Sequence, residues 1–209
     1  MKNRVLSGSH SYRRRSTYSA GMVDWITENV PEGERILVNV AQGSYLAYLD
    51  GGRHEWTFLR LNQESCESRP NIQIRCDPDE NAISRIPPDA VWVQMVGECR
   101  VISLSMPNLL EQVRRTGSGY VMITGNVKYP GILELPSLLQ TSGAFEVEHA
   151  EGSSGAQGVV LLKSTGRAPE AAPTLINRNT VVNLKRCEQA KGQGYSTWLQ
   201  SKFPNGIWR

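Results

Sequence analysis

The fold is decided by residues 35–61, which read RILVNVAQGSYLAYLDGGRHEWTFLRL. The stretch opens with a short, β-branched apolar run, RILVNV, typical of a strand buried in a parallel sheet. AQGSYLAYL then supplies bulky apolar side chains for a helix, and Gly51 and Gly52 end that helix because glycine accepts the left-handed conformation. WTFLRL, over residues 56–61, is a second apolar run. The stretch therefore predicts strand, helix and strand in succession.

The same alternation extends on both sides of this stretch. A helix is predicted before it from Met22 to Val30, where Pro31 stops it, and residues 62–89 are predicted to be an irregular excursion. Further elements are predicted as strands over 90–96, 100–104 and 120–124, helices over 108–116 and from Pro136, and a hairpin of 145–149 with 158–163. The sequence predicts an α/β fold, a three-layer Rossmann-like sandwich with a mostly parallel sheet and a C-terminal antiparallel edge hairpin.

The chain has 209 residues, 39% hydrophobic and 21% charged, as expected of one globular domain with appendages. We predict a basic N-terminal arm over 1–17, an α/β domain over 18–165, and a linker with a short helical extension over 166–209 that packs on the body. The longest charge-free run, residues 36–49, is 14 residues long. A spanning helix needs roughly 18 apolar residues, so a soluble chain is expected.

Charge is divided unevenly along the chain. Residues 1–21 carry five basic and no acidic groups, residues 22–165 carry 11 against 18, and residues 166–209 carry seven against two. An acidic body between basic ends is unlike a nucleic-acid-binding domain, which carries its cations on a folded face. The cluster Arg13, Arg14 and Arg15 is either a solvated terminus or a contact with anionic lipid headgroups.

Neither a metal site nor a cofactor is expected. The cysteines lack CxxC spacing and have no nearby histidine, which argues against zinc. They permit two disulfides, Cys66 with Cys76 across a short loop and Cys99 with Cys187, or they are free buried thiols. No phosphate-binding glycine loop follows a strand, and no GxSxG elbow occurs. No catalytic residue is predicted, and whether the chain is an enzyme stays open.

The densest polar cluster lies after the predicted helix of residues 41–49. Arg53 is suited to clamp a phosphate or sugar and Trp56 to stack on it, with Gln42 and Tyr45 nearby at the carboxyl end of a strand. The alternative is a capped turn in which Arg53 pairs with an acidic neighbour and the Trp56 ring is in the core. His149 and Glu151 are interpreted as ordinary surface residues. The candidate ligand-binding residues are Gln42, Tyr45, Asp50, Arg53, His54, Glu55 and Trp56.

Several segments together resemble a known family. They are WITENVPEG at 25–33, YLAYLDGGR at 45–53, SGYVMITG at 118–125, FEVEH at 145–149 and GVVLLK at 158–163. This ordered set resembles the soluble C-terminal domain of bacterial membrane glycosyltransferases that use polyisoprenyl-phosphate sugars, the protein-mannosyltransferase-like superfamily. The resemblance covers about residues 19–165. It implies no catalytic residue here, because the family's acidic catalytic residues lie in the membrane-embedded part.

Two functions follow as hypotheses. The first is a non-catalytic accessory domain that contacts a membrane glycosyltransferase or membrane surface, a glycan or a lipid-linked sugar. The alternative is a soluble enzyme or a sugar- or nucleotide-binding domain with its site at the strand carboxyl ends. The expected location is the extracytoplasmic face of the membrane if the chain is a fragment of a membrane protein, and the cytoplasm otherwise. The sequence does not predict an oligomeric state.

Overall fold

A computed structural model describes residues 20–39, 43–65, 89–96, 100–125, 132–152, 158–170, 174–176 and 195–208. Helices within these ranges are α1 over 20–29, α2 Gly43–Leu49, α3 Met106–Thr116, α4 Leu135–Thr141 and α5 Tyr195–Lys202. The strands are β1 Arg35–Val38, β2 Glu55–Phe58, β3 Asn62–Ser65, β4 Ala90–Val96, β5 Arg100–Ser105, β6 Tyr120–Thr124, β7 Phe145–Glu151, β8 Val159–Ser164, β9 Leu175–Ile176 and β10 Ile207–Trp208. A single 3₁₀ turn, Ile132–Glu134, precedes α4. The α/β class is therefore confirmed.

The strands of the first sheet, sheet A, lie in the order β2-β1-β6-β8-β7. β1 pairs in parallel with β2 and β6, so that Ile36 lies opposite both Trp56 and Tyr120. β8 pairs antiparallel with β6 and with β7, which places the predicted hairpin at one border of the sheet. Sheet A thus has two parallel and two antiparallel pairs. The sheet is therefore mixed, and the prediction of a mostly parallel sheet was wrong for it.

A second sheet, sheet B, was not predicted. Its order is β10-β9-β4-β5-β3, with antiparallel pairs around β5 and parallel pairs around β9. β3, with the sequence NQES, lies inside the stretch predicted to be irregular, and it pairs with β5 through Asn62 opposite Ser103. A polar strand has no apolar alternation to reveal it, because its order comes from main-chain hydrogen bonds to a neighbour. Residues beyond 165 supply β9 and β10.

Apolar side chains cover both faces of sheet A. On one face, Ile36, Val38 and Met122 of the sheet pack with Met22 and Ile26 of α1, and Leu46 of α2 joins them. On the other face the partners come from sheet B, α3 and α4. The main buried members there are Leu37, Trp92, Leu104, Leu109, Val121, Leu135, Leu139, Phe145 and Leu162. Sheet A is therefore the central layer, with α1 and α2 on one side.

Helix α3 shows how the sequence sets an element's limits. Ser105 caps it by accepting a hydrogen bond from the Asn108 N–H at 3.3 Å, and Pro107 lies in its first turn, where its missing N–H is no loss. Gly117 ends the helix with φ of 65°. The helix starts two residues earlier than the predicted 108–116 because the cap and the proline, rather than the apolar stripe, fix its first turn.

Several sequence predictions fall outside the described residues. These are the basic arm over 1–17, Gln42, the part of the expected helical extension over 177–194, and the four cysteines Cys66, Cys76, Cys99 and Cys187. In the part of the chain that the structure describes, no helix has the length and apolar content needed to cross a membrane.

Candidate functional site

The carboxylate of Asp50, at the end of α2, is the centre of a buried polar cluster. Asp50 and His54 are only 3% and 4% exposed. The His54 ring Nδ1 lies 2.8 Å from Asp50 Oδ1, and the His54 main-chain N–H donates to Oδ2 at 2.7 Å. The Trp56 indole N–H also reaches Oδ2, at 3.3 Å, and the Thr27 hydroxyl reaches Oδ1 at 3.2 Å. The carboxylate is thus surrounded by four polar groups of its own chain.

This cluster joins three elements. Thr27 belongs to α1, Asp50 follows α2, and Trp56 belongs to β2. The second ring nitrogen of His54, Nε2, lies 3.2 Å from the carbonyl oxygen of Val30, just beyond α1. The chain can fold back from α2 because Gly51 and Gly52 have φ of 66° and 77°, values that side chains disfavour. The cluster therefore fixes the C-terminal end of α1 to the start of β2.

Hydrogen bonding controls the charge of Asp50. Burial alone would raise the pKa of this carboxyl group, since a buried charge loses its hydration. Hydrogen bonds from the His54 ring, the His54 main chain and the Trp56 indole, with the charge interaction with His54, outweigh the burial, and the pKa of Asp50 is lowered. Asp50 is consequently an ionised carboxylate at neutral pH, and its oxygens are hydrogen-bonded to neighbouring groups of the same chain.

The charged neighbours of this cluster point elsewhere. Glu55 is exposed and forms an ion pair with Arg35, whose guanidinium also donates to the Thr116 carbonyl at 3.0 Å. Arg53 is exposed, and its main chain closes the turn by donating to the Asp50 carbonyl at 3.4 Å. Asp50 faces His54. The cluster therefore has the form of a capped turn. Arg53, however, does not pair with Asp50 or Glu55, because Asp50 pairs with His54 and Glu55 with Arg35.

The seven predicted site residues do not all converge. β2 runs parallel to β1 with Glu55 opposite Arg35, so residues 50–54 lie at the amino ends of these two strands. Tyr45, which is 38% exposed, is in the first turn of α2, after the carboxyl end of β1. The Trp56 ring is half-buried against the core beneath α1. Tyr45 and Asp50 therefore lie at opposite ends of these strands, and one crevice shared by both would have to extend along the whole length of the strands.

A second polar site, missed by sequence reasoning, lies at the carboxyl ends of β1 and β6. The Asn39 side-chain amide donates to the Thr124 carbonyl at 2.9 Å, and its Oδ1 accepts the Thr124 N–H at 2.8 Å and the Thr124 hydroxyl at 3.0 Å. Both residues are buried. They are 85 residues apart in sequence, so no local motif links them. The asparagine at the end of an apolar strand run was the one available signal.

The Asn39–Thr124 pair lies where open α/β sheets bind ligands. The crossover from β1 through α2 leads to β2 on one side, while β6 lies on the other side of β1. Ligands bind outside the carboxyl ends of parallel strands at such a change of direction. The residues that follow each strand, 40–42 and 126–131, are outside the described ranges. Asn39 and Thr124 themselves are occupied in holding the two strand ends together.

In the described ranges, two buried side-chain oxygens have no hydrogen-bond partner, Gln94 Oε1 on β4 and Glu134 Oε2 before α4. An unsatisfied buried acceptor costs about 1–3 kcal/mol. The two atoms lie on separate elements. Among the described residues, no three His, Cys, Asp or Glu side chains are grouped so that they would hold a metal ion.

Comparison of the chain with models of protein families, with curated proteins and with solved structures finds no match.

Proposed function

We propose that the chain is a non-catalytic accessory α/β domain that works at a membrane surface, contacting a membrane-embedded partner or lipid-linked sugar. The observation that carries the proposal is that exposed aromatic side chains and the first turn of α1, which follows the basic N-terminal sequence, lie at the same end of sheet A, on its two opposite borders. The resemblance to the soluble domain of polyisoprenyl-phosphate-sugar glycosyltransferases adds support, as does the use of Asp50 and His54 in holding the fold.

The start of α1 marks this end of the sheet. A Cβ atom on Gly21 would lie 2.8 Å from Glu151 Oε2, so the first turn of α1 contacts the last residue of β7. Glu151 pairs with Val159, and Val159 pairs with Thr124 at the carboxyl end of β6. The chain therefore enters the described fold beside the carboxyl ends of the parallel strands. We name this end of sheet A the carboxyl edge.

Two exposed aromatic residues lie at the carboxyl edge on the opposite border, while the more exposed Tyr48 is in the last turn of α2. Phe58 is the last residue of β2, opposite Val38, and is 49% exposed; Tyr45 is in the first turn of α2. The sequence that leads into α1 carries five basic and no acidic groups over residues 1–21. Aromatic rings together with lysine and arginine favour the boundary between lipid headgroups and water. The carboxyl edge therefore carries exposed aromatic rings and the first turn of α1, which follows the basic sequence along the chain.

The acidic body limits how the domain can approach lipid. Residues 22–165 carry a net charge of −7, from 11 basic and 18 acidic groups. An anionic membrane would repel most of that surface, so attraction has to come from the basic stretch and its neighbours. We infer an orientation with the carboxyl edge toward the membrane. Within this proposal, β2, β1 and β6 with their connecting helices are the Rossmann-like half of the domain.

Vesicle sedimentation tests the proposal. The protein is expected to bind vesicles with about a third phosphatidylserine and not vesicles of phosphatidylcholine alone, because each cation near the surface is worth about 1 kcal/mol. Replacing Arg13 and Arg14 by alanine should weaken binding about 30-fold. The matched control is alanine at Arg114 and Arg115, which are exposed near the end of α3 and precede the amino end of β6. Equal losses in both variants would refute the orientation.

Ligand binding at the same edge is the second candidate function. Asn39 and Thr124 favour it, because they mark the position between β1 and β6 where open α/β sheets bind small molecules. Thermal shifts with nucleotide sugars and sugar phosphates would detect such a ligand. A shift that survives Arg53→Ala places the ligand away from residues 50–56, whereas loss of the shift with the fold intact returns it there. No shift with any of them counts against this candidate.

A further inference from the structure

Trp25 and His149 form a stacked ring contact that has no part in the proposed function. Trp25 is on α1 and His149 on β7, with ring centroids 4.4 Å apart and planes within 3°. His149 Nε2 lies 3.4 Å from Glu151 Oε1 on the same strand, and the two side chains are 28% and 25% exposed. The sequence interpretation of His149 and Glu151 as ordinary surface residues is therefore incomplete. Trp25, His149 and Glu151 together are the α1 latch.

Two local features of the chain build the α1 latch. The pairing of β7 with β8 shifts between Val147 and His149, so Glu148 is an extra residue in the strand. His149 and Glu151, two residues apart, then share one face, as alternate residues in a strand do. On the helix, Gly21 lies one turn before Trp25 and leaves room for the Glu151 carboxylate close to the α1 main chain.

The charged groups on the elements around His149 are mostly acidic. They are Asp24 and Glu28 on α1, Glu146, Glu148 and Glu151 on β7, and Lys163 on β8. These elements thus carry five carboxylates and one ammonium group. A protonated imidazole adds a cation–π attraction to the Trp25 stack and a charged hydrogen bond to Glu151. A neutral ring keeps the stacking and a weaker hydrogen bond from its N–H to the carboxylate, without the attraction between opposite charges.

We infer that the α1 latch is pH-sensitive and that it holds the N-terminal half of α1 on edge strand β7 more tightly when His149 is protonated. Protonation binds the ring to both neighbours at once, while deprotonation leaves the helix end held mainly by apolar contacts of Met22 and Val23. The device acts at the end of α1 that follows the basic stretch.

Hydrogen exchange at about pH 5.5 and pH 7.5, on either side of an ordinary imidazole titration, tests the inference. Protection factors, corrected for intrinsic rates, compare the amides of residues 22–26 with those of α3, which carries no histidine. We expect openings of α1 to be about two- to fivefold rarer at the lower pH relative to α3, the range of an exposed cation–π contact. An unchanged ratio would overturn the inference.

Variants assign the effect to this contact. His149→Gln should abolish the pH response, and Glu151→Gln should reduce it while leaving a titrating ring against Trp25. Glu146→Gln, a matched loss of one β7 carboxylate, should keep most of the response. His54 also contacts the end of α1 and is intact in all three variants. A full response in His149→Gln would contradict the latch, and NMR of the folded variants at both pH values confirms that each comparison is valid.

Discussion

Replacing Asp50 by asparagine is the strongest test of the buried cluster. The substitution keeps the shape of the side chain but removes its charge and turns one acceptor into a donor. The new amide group would then face either the His54 ring or the indole and main-chain N–H groups of Trp56 and His54. Breaking a buried pair by changing one partner costs about 3–5 kcal/mol. Because the amide oxygen retains some of the hydrogen bonds, we expect a loss of about 3 kcal/mol.

Urea unfolding followed by circular dichroism and tryptophan fluorescence measures this loss. The midpoint should fall with little change in slope, since the surface exposed on unfolding is nearly the same. Glu111→Gln is the matched control: it also removes one carboxylate charge, from the exposed Glu111–Arg114 pair, where about 0.5 kcal/mol or less is expected. A loss below about 1 kcal/mol for Asp50→Asn would refute the role given to the cluster.

The pH dependence of stability checks the same cluster independently. The pKa of Asp50 is lowered in the folded protein by the hydrogen bonds of His54 and Trp56, against the effect of burial. The unfolded chain therefore binds a proton at higher pH than the folded chain does, and stability rises with pH across that interval. This contribution is complete above the ordinary aspartate pKa and is lost as the pH falls through the folded-state pKa. Asp50→Asn should flatten the acid side of the stability profile.

Three further substitutions have defined outcomes, each measured by urea unfolding. Asn39→Ala should cost about 2–3 kcal/mol because it leaves the buried Thr124 N–H and carbonyl without their partner. Thr124→Val removes only the hydroxyl hydrogen bond and should cost about 1 kcal/mol. Equal costs for the two variants would argue against the role of Asn39 in joining the strand ends. Gln94→Leu should stabilise the fold by about 1 kcal/mol, since it removes an unsatisfied buried acceptor, and a clear loss would mean that the amide has a partner in solution. Gly117→Ala should cost about 1 kcal/mol because φ there is 65°, and no loss would mean that the helix end rearranges.

Elements with a strong local signal were predictable from the sequence. Tyr120–Thr124 was predicted and found with the same limits, because YVMIT is an apolar run flanked by glycines and all five residues are buried. The hairpin of β7 and β8 follows from a segment that alternates apolar and polar residues, a loop rich in glycine and serine, and an apolar run. Sheet B was not predictable in the same way. Its pairings join β4 to Leu175–Ile176, more than 70 residues away, and its strand β3 is entirely polar.

The candidate site shows the same division between local and distant contacts. Asp50, His54 and Trp56 were found because they lie within seven residues. Their role in joining α1 to β2 was not predicted, since it depends on Thr27 and Val30, at and just beyond the end of α1, which the sequence does not place beside them. A crevice that includes Tyr45 required residues 50–54 to lie at the carboxyl end of β1. The parallel register of β1 and β2 places them at its amino end instead. The Asn39–Thr124 link needed the tertiary fold.

Unequal attachment of α1 has a mechanical consequence. The helix is fixed at its C-terminal end through the enclosed His54 ring at Val30, and at its N-terminal half through the buried side chains of Met22 and Val23 and the partly exposed stack at Trp25. Tension applied through the preceding chain would peel the helix from the β7 border first. Separation would then stop at Val30, where the buried contact between its carbonyl oxygen and the His54 ring resists it. A pull on the N-terminus would therefore lengthen the connection by up to one short helix before it strains β1 and the central layer.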